Sequence, residues 1–69
     1  MNHKQYREAI ERLGLSQVAA ARLLQVDPRT SRRWASGETK VPWTVAVVLE
    51  YLAKERTRLA MEALARKRR

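Results

Sequence analysis

The sequence of 69 residues contains no cysteine and only one histidine, His3. It can therefore form neither a disulfide nor a thiolate metal site, and a single histidine supplies too few ligands for zinc. Chains this short are marginally stable without such cross-links, so side-chain packing, with or without self-association, must stabilise the fold. The lack of cysteine fits the reducing cytoplasm, where we expect the protein to be.

Long apolar runs are also missing. A helix that crosses a bilayer needs about 20 apolar residues, and no stretch of this sequence reaches that length. Residues 1–10 are polar and mixed in charge, without the apolar segment of a signal peptide. We therefore expect neither membrane insertion nor secretion.

The residues that most enzymes need are scarce as well. The chain has no thiol nucleophile, its histidine lies at the N-terminal end, and no pair of carboxylates accompanies an apolar floor. We therefore expect a non-enzymatic protein that uses no cofactor, no metal ion and no small-molecule ligand.

Acidic residues are few in relation to basic ones. Seven Asp and Glu stand against fifteen Lys and Arg, which gives a net charge of +8 and a pI near 11.2. So basic a chain indicates a polyanionic partner, which could be DNA, RNA or anionic lipid. The simpler interpretation is a charged surface that contacts only solvent. The basic end, residues 66–69, could follow phosphates or be a solvated end, and basic amphipathic helices also bind membrane surfaces and calmodulin-like proteins.

β-Strand signals are absent, and glycine and proline are rare. No stretch alternates apolar and polar residues, and the two glycines and two prolines stand where helices would begin or end. We predict a compact, single all-α domain of four to five helices. The predicted helices cover residues 2 or 3 to 13, 17–24, 28–35 and 42 onward. Beyond residue 52 the pattern fits one long helix or two helices bent near residues 54–57.

Capping side chains mark three of the predicted helix starts. Asn2, Ser16 and Asp27 each precede a helical segment, and their side-chain oxygens can accept hydrogen bonds from first-turn amides. Pro28 follows at the first helical position, where its missing N–H costs nothing. Gly14 suits the left-handed residue that ends the first helix.

The third predicted helix is strongly basic on one side. At about 100° per residue, Arg29, Arg32 and Arg33 lie with Pro28 on one face, while Trp34 points to the core. Three guanidinium groups on so short a helix repel one another unless an anion binds them. Arginine binds guanine bidentately and an α-helix fits the major groove, so this face predicts DNA recognition. The simpler interpretation is a solvated basic face.

Residues 13–42, LGLSQVAAARLLQVDPRTSRRWASGETKVP, resemble the helix-turn-helix of the Cro and phage-repressor (XRE-type) family. The marks of the resemblance are Leu15, Ser16, Gln17, Ala21, Leu24, Val26, Thr30, Arg33, Trp34, Gly37 and Pro42. It implies a lambda-repressor-like domain of bacterial or phage origin, in which residues 16–37 are the motif. It also implies a transcriptional regulator, most often a repressor, that binds an inverted-repeat operator in double-stranded DNA as a homodimer.

A second and weaker resemblance covers residues 42–53, PWTVAVVLEYLA, which are similar to part of the small anti-CRISPR-associated repressors. This resemblance implies an autorepressor of a phage or mobile-element operon. The alternative is an antitoxin-type protein that binds DNA and also covers a toxin with its C-terminal helix. RNA binding is less favoured, because the sequence offers no aromatic surface for stacking single-stranded bases.

Two residues depart from the pattern of the XRE family. Gln25 replaces the usual glycine of the turn, and a non-glycine residue in a left-handed conformation costs about 1 kcal/mol, so we expect a differently shaped turn. Ser31 replaces a buried Val or Ile. We expect its hydroxyl to bond a carbonyl one turn earlier in the helix.

The resemblance to the XRE family also implies roles for individual residues. The residues implied to read bases are Arg29, Arg32, Arg33, Pro28 and Gln17. The residues implied to contact phosphates are Ser16, Thr39, Lys40, Trp43 and Thr44. For Ser16 and Asp27 the alternative is capping alone, which we prefer for Asp27, and for Lys40 it is an ordinary solvated lysine.

Residues 42–69 form a predicted C-terminal helical region that could join two copies of the chain. Trp43, Val47 and Tyr51 share a face that is more apolar than a monomer surface needs, and Leu59 begins a second apolar stripe over residues 59–64. Either surface could form the interface of a homodimer. The alternative is that Trp43 covers the edge of the core and Tyr51 packs against the first helix.

Overall fold

A computed structural model describes residues 1–67 of the chain. Within these residues it contains no β-strand and four α-helices, which confirms the all-α prediction. The helices are α1 (His3–Arg12), α2 (Gln17–Leu24), α3 (Pro28–Ser36) and α4 (Trp43–Lys67). Arg68 and Arg69, which belong to the predicted basic end, lie outside the described residues. No helix within residues 1–67 is both long enough and apolar enough to cross a membrane.

The three predicted caps all form. The Asn2 side chain accepts a hydrogen bond from the Gln5 amide at 2.8 Å, and the Gln5 side chain accepts one from the Asn2 amide at 2.9 Å. Ser16 Oγ accepts from the amide of residue 19 at 3.0 Å, and Asp27 Oδ1 accepts from the Arg29 amide at 2.8 Å. Each such cap stabilises its helix by about 1 kcal/mol.

Three residues in the left-handed conformation separate the helices. Gly14 has a φ of 70° and Gly37 a φ of 84°, as expected for residues that end helices. Gln25 has a φ of 56° and a ψ of 45°. The expectation that the turn avoids this conformation is therefore wrong at Gln25, which adopts it at a cost of about 1 kcal/mol.

The last helix is one continuous element. It begins at Trp43, one residue later than predicted, and the Pro42 carbonyl accepts the hydrogen bond of the residue 46 amide at 3.1 Å. At the segment where a bend was an alternative, Arg58 bridges Glu55 at 2.8 Å and Glu62 at 2.7 Å. The hydrogen bond from Arg58 lowers the pKa of the Glu55 carboxyl. Pairs at these spacings favour an unbroken helix.

The core lies where α1, α2, α3 and the first half of α4 meet. Tyr6 and Ile10 of α1, Trp34 of α3 and Leu49 of α4 are buried there. The rings of Tyr6 and Trp34 meet edge to face, with centroids 5.7 Å apart and planes at 75°. The prediction that Trp34 points to the core is confirmed. Buried alanines complete the core and let the helices approach closely: Ala9, Ala20, Ala21, Ala35 and Ala46.

The face of α4 that meets the core differs slightly from the sequence prediction. Periodicity alone predicts a core stripe of Val45, Val48, Leu49 and Leu52. Leu49 is fully buried, but Val48 is 45% exposed, and Ala46 takes its place in the core. The helix is therefore rotated relative to the prediction, so that the small Ala46 side chain is buried and Val48 is not.

The molecule is elongated rather than compact throughout. Its extents are 48 × 19 × 17 Å, because α4 continues beyond the core. Arg56 Nη1 donates to the Leu13 carbonyl at 2.9 Å and ties the middle of α4 to the end of α1. Every residue from 56 to 67 is exposed. We call this segment, residues 56–67, the α4 arm.

The start of α1 lies against the connection between α3 and α4. A Cβ atom added to Gly37 would stand 3.0 Å from the Nδ1 atom of His3, so the imidazole ring covers this glycine. Gly37 is also left-handed, with a φ of 84°, so both its conformation and its neighbour favour glycine.

Candidate nucleic-acid interface

Helix α3 divides into a buried side and a basic exposed side. Ser31, Trp34 and residue 35 are buried against the rest of the fold. The exposed residues include Pro28 and three arginines, Arg29, Arg32 and Arg33. The structure thus brings together four of the five residues predicted to read bases. We call the exposed side formed by Arg29, Arg32 and Arg33 the arginine face.

No acidic side chain neutralises the arginine face within residues 1–67. The ion pairs found there are those of Arg58 with Glu55 and Glu62, on α4. Arg7 adds a further positive charge near the C-terminal end of α3, where its Nη1 atom donates to the carbonyl of residue 35 at 2.9 Å. The arginine face is therefore a concentration of positive charge that an anionic ligand would stabilise.

A buried hydrogen bond fixes α3 against α1. Tyr6 and Ser31 are both completely buried, and the Tyr6 hydroxyl lies 2.6 Å from Ser31 Oγ. The expected partner of Ser31, a carbonyl one turn earlier, is wrong, since α1 supplies a hydroxyl instead. Burial raises the pKa of the Tyr6 phenol, and the hydrogen bond with Ser31 partly opposes this rise. The sequence analysis did not predict this pair. The signal for it was that Tyr6 and Ser31 each place a hydroxyl at a core position of their helix.

The connection after α3 continues the site. The Thr39 amide donates to the Arg33 carbonyl at 3.2 Å, which places Thr39 beside the end of the arginine face. Thr39 and Lys40 are exposed, as are Trp43 and Thr44 at the start of α4. Four of the five predicted phosphate contacts therefore lie within residues 39–44, and each of the four is exposed.

The start of α2 is joined less directly to this site. Ser16 is exposed and caps α2, whereas Gln17 is only partly exposed. Within the described residues, no hydrogen bond links either side chain to the arginine face. Their connection with the site is that α2 packs against α3. Asp27 caps α3 by accepting from Arg29, as preferred for this residue.

The aromatic residues of α4 are left outside the core. Trp43 is 78% exposed and Tyr51 is 63% exposed. The alternative in which Trp43 covers the core edge and Tyr51 packs against α1 is therefore wrong. The expectation that the chain offers no aromatic surface to single-stranded bases is wrong for the same reason. Val47, 44% exposed, lies between them on the same side of the helix. Leu59 is also exposed, but it lies about 120° around the helix from Val47, on a different face.

No protein-family model, no curated protein and no solved structure matches this chain. These comparisons therefore indicate no function. Within residues 1–67, no three His, Asp or Glu side chains stand close enough together to hold a metal ion. On the described surface, the arginine face lies beside the exposed residues Thr39, Lys40, Trp43 and Thr44.

Proposed function

We propose that the protein is a sequence-specific regulator of transcription that binds double-stranded DNA, most simply a repressor. In this proposal α2, the turn at Gln25 and α3 act as a helix-turn-helix, and α3 inserts into the major groove. The observation that carries the proposal is the arginine face, which is exposed, free of ion pairs within residues 1–67 and held on a helix whose other side is buried.

The dimensions and chemistry of α3 suit the major groove. An α-helix with its side chains is about 10–12 Å across, close to the groove width of about 12 Å. Arginine can donate two hydrogen bonds to guanine O6 and N7, and each good pair of this kind is worth about 1–3 kcal/mol of discrimination. The arginine face offers three such side chains within two helical turns.

The fixed position of α3 on α1 favours recognition of bases over attraction by charge alone. The Tyr6–Ser31 hydrogen bond and the edge-to-face contact of Tyr6 with Trp34 hold α3 at a fixed angle to α1. Bidentate contacts need such an angle, because their donors must meet base edges within a few tenths of an ångström. A flexible basic segment could neutralise phosphates without this support.

The remaining predicted contacts would position the helix on the DNA backbone. Thr39, Lys40 and Thr44 are exposed beyond the arginine face, and Ser16 marks the N-terminus of α2. Contacts with phosphates set the register of a protein on DNA without reading its sequence. We assign these residues to that role.

As a repressor the protein would block a promoter by occupying it. One short helix reads about one half-site, so two copies on an inverted repeat are the expected arrangement. The resemblance to XRE-type and anti-CRISPR-associated repressors favours an autorepressor of a phage or mobile-element operon, acting at the nucleoid in the bacterial cytoplasm.

The test begins with selection of bound duplexes from a randomised DNA pool, followed by titration of the best duplex. We expect Arg29→Ala, Arg32→Ala or Arg33→Ala to weaken binding about 5- to 150-fold where the arginine pairs with guanine. Lys4→Ala removes one positive charge from the exposed side of α1 and is the control. If the variant lacking all three α3 arginines stays folded and binds the selected duplex as tightly as the parent, the proposal is wrong.

One observation favours the alternative of an antitoxin-type protein. Every residue of the α4 arm is exposed, so a toxin could pack against it. Antitoxin segments that cover a toxin are disordered until they bind, whereas a plain repressor needs no such disorder. Amide hydrogen exchange on the isolated protein separates the two functions: rapid exchange throughout the arm favours the antitoxin, and protection there favours the repressor.

A further inference from the structure

Two exposed apolar surfaces lie far apart along α4. The first contains Trp43 and Val47 at the start of the helix, with Tyr51 beside them. The second is on the α4 arm and contains Met61, which is 66% exposed. Neither surface packs against the rest of the chain. A monomer therefore leaves both ends of this helix with large apolar side chains in water.

The two surfaces point in the same direction. Trp43 and Met61 are separated by five full turns at about 3.6 residues per turn, so their side chains leave the helix on one line. The positions between them at alternating spacings of four and three are 47, 50, 54 and 57. This is the spacing of the contact seam of a coiled coil. The seam thus contains Trp43, Val47, Glu50, Lys54, Thr57 and Met61.

The charges at the centre of the seam complement each other in only one relative orientation. Glu50 and Lys54 are both exposed, and neither makes an ion pair within residues 1–67. If two α4 helices were parallel and in register, Glu50 would meet Glu50 and Lys54 would meet Lys54. In an antiparallel pair, a two-fold axis can cross the two helices at the height of Leu52, which is itself not part of the seam. Glu50 of each copy then meets Lys54 of the other.

The same axis also matches the two apolar ends. With the two-fold axis at Leu52, Trp43 of one copy meets Met61 of the other, and Val47 meets Thr57. One axis position therefore pairs apolar with apolar at the ends and acid with base at the centre. A groove between α1 and α4, lined in part by Glu50, Lys54 and Met61, follows the second half of the seam.

The α4 arm gives an independent reason for a partner. Its residues make no contribution to the core, and an isolated helical segment of this length is marginal in water. Beyond the hydrogen bond of Arg56 with the Leu13 carbonyl, a second helix packed along the arm would supply further tertiary contacts. The arm and the start of α4 would then each cover an apolar surface of the partner.

We propose that two copies of this chain form an antiparallel α4–α4 dimer with its two-fold axis at Leu52. Trp43 then belongs to the protein interface, not to the phosphate contacts implied by the family resemblance. The dimer forms without DNA and does not require the proposed function. It deepens that function by specifying which surface joins the two copies on an inverted repeat.

The charge pairs are tested by sedimentation of the full chain without DNA over a range of concentrations. Lys54→Glu places two carboxylates opposite each other at both central pairs, and Glu50→Lys places two ammonium groups there. Each variant alone should therefore raise the dimer dissociation constant at least about tenfold. An equimolar mixture of the two variants restores opposite charges at every pair and should dimerise again. Glu11→Lys, on the exposed side of α1, is the control and should leave the dimer intact.

If dimerisation recovers in the mixture, the loss seen with each variant alone comes from charges that meet across the interface. An effect on the stability of α4 itself would persist in the mixture, because each chain there still carries its own like charges. A parent protein that stays monomeric at all concentrations, or a mixture of folded variants that does not dimerise, would overturn the proposal. Dimerisation unaffected by either variant would do so as well.

The orientation is tested by cross-linking, since the chain has no cysteine of its own. Val47→Cys and Thr57→Cys chains, mixed and oxidised, should give a disulfide-linked heterodimer, and neither variant should link to itself. Self-linking of Val47→Cys would show a parallel pair and overturn the antiparallel one. DNA binding that still depends on the arginine face while dimerisation fails would remove this inference and leave the proposed function standing.

Discussion

The hydroxyl of Tyr6 on α1 lies 2.6 Å from the hydroxyl of Ser31 on α3, and both residues are completely buried. Each group is the other's hydrogen-bond partner in a region that water does not reach. No buried side-chain polar atom within residues 1–67 is left without a partner. This one contact therefore both satisfies two buried hydroxyls and fixes the helix that carries the arginine face.

Removing one of these two hydroxyl groups should lower the free energy of unfolding more than removing both. Ser31→Ala leaves the buried Tyr6 hydroxyl unsatisfied and should lower the free energy of unfolding by about 1–3 kcal/mol. Tyr6→Phe combined with Ser31→Ala should recover part of that loss, because neither hydroxyl then remains. Urea unfolding of the two single variants and the double variant measures the coupling. Tyr51→Phe, which removes an exposed tyrosine hydroxyl, is the control, and strictly additive losses would contradict the pairing.

The stability of the fold should fall in alkali in a way that depends on Tyr6. Burial raises the pKa of this phenol, so the unfolded chain loses the proton at a lower pH than the folded protein does. The contribution of the neutral phenol is then complete below about pH 10 and declines as the pH rises through the folded-state pKa. Tyr51→Phe leaves Tyr6 as the one tyrosine of the chain. Its tyrosinate absorbance should appear above about pH 10, and a midpoint below that value would contradict the prediction.

Gln25→Gly should stabilise the protein. Gln25 has a φ of 56°, where glycine avoids the steric cost of a Cβ atom. Part of this relief of about 1 kcal/mol is offset by the greater freedom of glycine in the unfolded chain, so the free energy of unfolding should rise by up to about 0.5 kcal/mol. Urea unfolding measures this gain. Gln17→Gly, at the first position of α2, should lower the free energy of unfolding under the same conditions. A loss at Gln25 as well would show that the Gln25 side chain contributes more than its backbone strain costs.

Lys40→Ala should weaken binding to all duplexes by a similar factor. A lysine on phosphate contributes charge without reading bases, so the slope of log affinity against log salt should fall by about one. Titration of a selected and an unrelated duplex at several salt concentrations measures both effects. Lys40 would be an ordinary solvated lysine if the salt slope did not change.

Local signals predicted the helix starts but not how the helices meet. Asn2, Ser16 and Asp27 were predictable because a cap depends on residues only two or three positions away. The partner of Ser31 was not, because Tyr6 is distant in sequence and only the packing of α1 on α3 brings them together. The rotation of α4 that buries Ala46 in place of Val48 depends on the same non-local packing.

The candidate site and the helix that follows it were also predictable only in part. The exposure of Arg29, Arg32 and Arg33 followed from helical periodicity once Asp27 and Pro28 had fixed the start of α3. The choice between one helix and two after Pro42 did not follow, because apolar spacing is similar in both. In the structure Arg58 bridges Glu55 and Glu62 across the ambiguous segment, and these pairs favour continuity.

The contact of His3 with Gly37 has a practical consequence for labelling. It holds the start of α1 beside Thr39 and Lys40, and Met1 lines the same recess. A purification tag fused ahead of Met1 would crowd the connection to which we assign phosphate contacts. A small environment-sensitive dye attached there would stand beside the bound duplex and could report its arrival by a change in emission.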